Sequence, residues 1–124
     1  MKRIACLIAA AVTGCAMTPK DLFDEGMRTE RTSTKPPALA AICLIRNIEA
    51  HPLQSYTAQQ RMLDDRGGIE LVLSMIERYT QAILHYKPTP EGSKITVWTC
   101  PGGAGRPCRP TNDPDGIEWW FKGC

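Results

Sequence analysis

Histidine is scarce in this chain, two among 124 residues, and aromatic side chains in all make up 6%. His51 and His85 are the only imidazoles, so a metal centre or a catalytic base has little to be built from. Neither stands in a recognisable nucleophile-and-base arrangement with a Ser or Cys, and no C-x-x-C pair or internal repeat occurs. An excess of charge is missing as well: 15 Lys+Arg face 13 Asp+Glu, and without Lys2 and Arg3 the two signs balance at 13 each. That balance excludes the basic footprint of a nucleic-acid-binding protein, and no nucleic-acid partner is expected. Long apolar runs are absent too. The longest, Ile4 to Val12, has nine residues, whereas a bilayer-spanning helix needs about 20.

That short run has a use at the place where it stands. Met1-Lys2-Arg3 is a basic start and Ile4 to Val12 fits the apolar centre of a signal peptide, which assigns residues 1–14 to targeting rather than to the fold. The run ends in Val12-Thr13-Gly14-Cys15, which resembles the lipobox of bacterial lipoproteins: an aliphatic residue, a small one, Gly, then Cys. The resemblance implies that the Cys15 thiol carries a diacylglyceryl group, that the signal is cut before it, and that the new amino terminus is acylated. Two other readings compete: cleavage after Ala16 at Gly14-Cys15-Ala16, releasing a soluble protein, or an uncleaved buried helix. The lipidated reading joins the basic start, the apolar run and the lipobox in one explanation, with membrane lipid as the first partner.

Lipidation changes the cysteine arithmetic. Cys6 leaves with the signal and Cys15 with the lipid, so Cys43, Cys100, Cys108 and Cys124 remain. Four cysteines in an exported chain predict two disulfides. Cys100 and Cys108 bracket a Gly/Pro loop that can close on itself, which leaves Cys43 to pair with Cys124. The competing pattern is Cys43 with Cys100 and Cys108 with Cys124. Metal binding by these thiols is disfavoured by the spacing and the oxidising compartment, and no cofactor is expected.

Within residues 15–37, the stretch Thr18 to Pro37 is polar, charged and Pro-containing, with only Leu22, Phe23 and Met27 as scattered apolar residues. They predict a lipidated Cys and a flexible tether, with at most a transient turn at Asp21 to Met27. Residues 38–124 form the expected domain. Ala38 to Ala50 follows Pro36-Pro37 and predicts a helix whose Ala38, Ala41, Ile42, Ile45 and Ile48 share one face, with Cys43 nearly opposite. Ile69 to Glu77, Tyr79 to Lys87 and Lys94 to Cys100 predict a three-stranded meander with a turn at Pro88 to Ser93; a second helix over 69–87 is the alternative. The close, Ile117 to Cys124, reads as a short strand. The expected fold class is therefore α+β, one helix on a small antiparallel meander with two disulfides. About 85 residues form a marginal core by size, and each staple adds about 2 to 4 kcal/mol.

Few constellations invite chemistry. Cys100 to Cys108 (CPGGAGRPC) has the glycines of a phosphate loop but lacks a following Lys-Ser/Thr, and its prolines remove donors. Asp64-Asp65 and Asp113-Pro-Asp115 read as turn formers. An enzyme is not expected; that reading would need an unpaired thiol or a His–carboxylate pair at close range. Trp119-Trp120 is the one surface candidate, because neighbours on a strand point to opposite faces and both cannot enter one core.

Taken together, the chain resembles small proteobacterial envelope lipoproteins. That resemblance implies an outer-membrane anchor facing the periplasm, since Ala16 rather than Asp follows the lipidated Cys. The functional expectation is a structural or partner-binding module with an envelope protein as its partner. The alternative is a protective inhibitor of the immunity or lysozyme-inhibitor kind.

Overall fold

The computed structural model describes residues 18–50, 56–75, 79–99 and 117–124. Its elements run α1 (Pro19–Glu25), β1 (Met27–Ser33), α2 (Pro37–Glu49), β2 (Tyr56–Met62), β3 (Ile69–Met75), β4 (Tyr79–Thr89), β5 (Gly92–Thr99) and a 3-10 turn at Trp119–Phe121. The strands form one antiparallel sheet in the order β1-β5-β4-β3-β2.

This corrects the expected fold class. The predicted meander is present as β3, β4 and β5, but it is the centre of a five-stranded sheet, with a helix on each face. The additional strands are polar edges. In β1 (MRTERTS) and β2 (YTAQQRM), charged and amide residues occupy positions where an inner strand carries apolar ones, which is how edges discourage further pairing. The predicted tether is corrected with them, because residues 19–33 fold as α1 and β1.

Local chemistry starts α1 sharply. The Asp21 amide donates to the Thr18 hydroxyl at 3.3 Å, while the Thr18 amide donates to the Asp21 carboxylate at 3.0 Å, a reciprocal cap with Pro19 in the first turn. Leu22 is the helix's buried residue, packed with Ile83, Val72 and Trp98 on one face of the sheet. Gly26 then joins α1 to β1 where there is no room for a side chain, since a Cβ there would lie 2.3 Å from the Leu22 carbonyl oxygen.

The main core lies on the other face. Leu71 and Leu73, Ala82, Leu84 and Tyr86, Ile95 and Val97 alternate along β3, β4 and β5 toward α2 and the C-terminal turn, the period of 2 expected of strands. From α2 come Ala40, Ala41, Leu44 and Ile48, with Pro37 also buried. The predicted face is thus rotated: Ile42 is exposed and Leu44 takes the central place. The helix is apolar nearly all round its first half, so the sequence offers more than one stripe for the sheet to bury.

The chain end is corrected as well. Residues 117–121 coil as a helical turn rather than a strand, so Ile117 and Trp120 bury at a spacing of three. The Cys43–Cys124 bond of the favoured pairing is formed, with Cα atoms 5.7 Å apart across a sequence separation of 81. It is the one disulfide among the described residues; the second expected pair, Cys100 with Cys108, lies outside them. Cys15, Cys100 and Cys108 lie outside them, as do His51 and Asp113-Pro-Asp115.

Candidate functional site

The C-terminal turn is tied to two elements at once. The Asn47 side-chain amide of α2 donates to the Trp120 and Lys122 carbonyls, both at 2.9 Å, beside the Cys43–Cys124 bond. From the other side, Arg31 of β1 donates to both carboxylate oxygens of Glu118, and its guanidinium lies 4.3 Å over the Phe121 ring. The Ser33 hydroxyl donates to the Cys124 carbonyl, and the Lys35 ammonium donates to the Gly123 carbonyl at 3.1 Å. A hydrogen bond from Arg31 holds the Glu118 carboxyl below its ordinary range, against a smaller upward push from burial.

These contacts leave a groove of about 490 Å³ beside β1, lined by Arg31, Ser33, Ile95, Glu118, Trp119 and Phe121 among others. The lining sets the apolar Ile95, Trp119 and Phe121 beside the charged Arg31, Lys122 and Glu118. The two predicted interface residues part company here. Trp119 is half-buried and lines the groove, whereas Trp120 is wholly buried in the core. A 3-10 turn, unlike a strand, sends neighbouring residues about 120° apart, so Trp120 can face α2 while Trp119 faces the groove. Nothing in the sequence singled out Arg31, Glu118 or Phe121; Arg31 and Glu118 are 87 positions apart.

A second polar cluster crosses the opposite face of the sheet. Register sets Arg61, Glu70, His85, Thr96 and Glu30 side by side on β2, β3, β4, β5 and β1. Glu70, its side chain 5% exposed, accepts from Arg61 Nε at 2.5 Å and meets His85 Nε2 at 2.8 Å. Burial alone would push its carboxyl up, but the hydrogen bonds with Arg61 and His85 outweigh that and leave it lowered. Phe23 of α1 and Trp98 flank the His85 ring, with centroids 5.6 and 4.7 Å away.

This is the close His–carboxylate pair that an enzyme reading asked for. Glu70 is held as an anion by two partners, the work of a neutralised buried charge. No described Ser, Thr or Cys hydrogen-bonds to His85 as a nucleophile would. No group of three or more His, Cys, Asp or Glu among the described residues could hold a metal ion. The predicted turn at Asp64-Asp65 is present: Asp64 accepts the Arg66 and Gly68 amides at 2.9 and 3.0 Å, which lower its carboxyl, and Gly67 takes φ 89°.

Comparison of the chain with protein-family models, with curated proteins and with solved structures finds no match in any of the three.

Proposed function

We propose that the protein is a lipid-anchored, non-enzymatic module of the cell envelope that binds a partner protein in the groove between β1 and the C-terminal turn. The anchor is Cys15, the site is the outer membrane facing the periplasm, and the support for both is the lipobox and the residue that follows it. The observation that carries the binding reading is the half-buried Trp119 beside Phe121 and Arg31, next to an edge strand of the sheet. Large aromatics and Arg are the side chains on which interfaces concentrate their energy.

The test has two parts. Intact mass of membrane-extracted protein should show a diacyl or triacyl increment at Cys15; an unmodified chain with free thiols would sink the anchor. Trp119→Ala should weaken retention of the envelope partner by about 2 kcal/mol or more, the usual hot-spot threshold, with the fold intact by circular dichroism. Deletion should cause a growth or permeability defect. A deletion strain that is normal until lysozyme or a toxin is added would replace this role with protective inhibition.

A further inference from the structure

Resting on the lipidated reading of Cys15, we infer that the α1 side of the sheet lies directly against the lipid surface, with the groove and the disulfide facing away from it. The reason is the missing tether. The first described element opens with the Thr18 cap, three residues beyond Cys15, and three residues of fully extended chain span at most about 11 Å.

The point where this short leash arrives is firmly rooted. Thr18 and Asp21 cap each other, Leu22 is completely buried against Ile83, and the Phe23 ring meets Trp98 edge-on at 4.9 Å. A lipid embedded at Cys15 therefore brings α1 to the headgroup layer, and α1 brings with it the face of the sheet that it covers. Phe23 is 40% exposed. Partly exposed apolar and aromatic side chains beside an anchor suit the membrane interface. Charge does not set the orientation, since α1 exposes Lys20 against Asp24 and Glu25. Chain length does.

The opposite face is consistent with this arrangement. α2, the Cys43–Cys124 bond and the Trp119 groove all lie on the far side of the sheet, where a periplasmic partner has access. The exposed Leu39 of α2 marks that side.

Photo-crosslinking of the full chain in its own membrane decides the matter. A benzophenone-bearing analogue replaces Phe23, or the exposed Lys20 should the larger ring disturb packing, and in a parallel protein it replaces Leu39. Lipidation is checked first by mass. Lipid adducts at position 23 or 20 in several-fold excess over position 39 are expected. A Gly/Ser insertion of about 12 residues between Met17 and Thr18, with an r.m.s. span of about 19 Å, should abolish that excess while Cys15 stays lipidated. A lipidated chain whose positions 20, 23 and 39 give equal adducts overturns the orientation and leaves the anchor standing. A chain without lipid overturns both.

Discussion

On the α2 face of the sheet, a 13-residue helix, the C-terminal turn and a disulfide cover an apolar layer running from Leu71 to Val97. On the α1 face, a seven-residue helix packs Leu22 on Val72, Ile83 and Trp98, and beside them runs the polar row Arg61, Glu70 and His85. The difference teaches where stability resides. A completely buried large apolar side chain contributes about 1.5–3 kcal/mol, and the α2 face holds most of them. A buried ion pair roughly breaks even against its desolvation cost, so the α1 face adds register more than energy. Arg61, Glu70 and His85 meet only if β2, β3 and β4 hold one alignment, because a slip of one residue would turn each side chain to the other face.

The sharpest way to break this contrast is to empty each face in turn. Trp120→Ala should cost about 3–5 kcal/mol in urea unfolding and lower the whole transition. Leu22→Ala should cost less, about 2 kcal/mol, and hydrogen exchange should speed up in α1 while β4 stays protected. Equal costs, or a global loss from Leu22→Ala, would make the thin face as important as the thick one.

Next in size is the staple. Cys43→Ser with Cys124→Ser opens a loop with a sequence separation of 81 and should lower stability by about 2–4 kcal/mol. Because Asn47, Arg31 and Ser33 still hold the turn, native near-UV dichroism should survive at low temperature.

Glu70→Gln tests the ionic row, with an expected loss of about 1–2 kcal/mol at neutral pH. The folded protein holds Glu70 below its ordinary value of 4.5, so the unfolded chain binds the proton first as pH falls. Its contribution is complete above that value and disappears as pH drops through the lowered one. The variant should therefore lose less stability than the parent on acidification below about pH 4.5, and parallel curves would refute the assignment. Arg61 is 73% exposed, so salt should weaken its share.

Smallest is Tyr86→Phe on the thick face. The Tyr86 hydroxyl is buried with no hydrogen-bond partner among the described residues, and burial pushes the phenol above its ordinary value. Deleting it should leave stability unchanged or raise it by up to about 1 kcal/mol. A loss larger than that would reveal a partner for it.

Much of the fold was legible because strong local patterns carry it. Ile95, Val97 and Thr99 alternate with Thr96 and Trp98, and β5 formed there; Pro36-Pro37 marked the start of α2. β1 and β2 were not legible, because an edge strand's pattern is set by its neighbour: Arg31 and Arg61 lie on strands whose apolar partners are Ile95 on β5 and Ile69 on β3. One overlooked signal was local. Thr18-Pro-Lys-Asp21 is a capping sequence followed by Leu22 and Phe23, and it could have placed α1. The groove had no comparable signal, since it joins Arg31 to Glu118 and Phe121 from opposite ends of the chain.

By itself the sequence determined the near-balanced charge, the basic and apolar start ending in Cys15 and the alternation of β5, all consequences of composition and short-range spacing. Only the tertiary structure decided which stripe of α2 is buried, that residues 19–33 fold, and that Trp119 and Trp120 part between a groove and a core. Those outcomes depend on contacts between residues distant in sequence, where burial of the best-fitting surface overrides weak local preference.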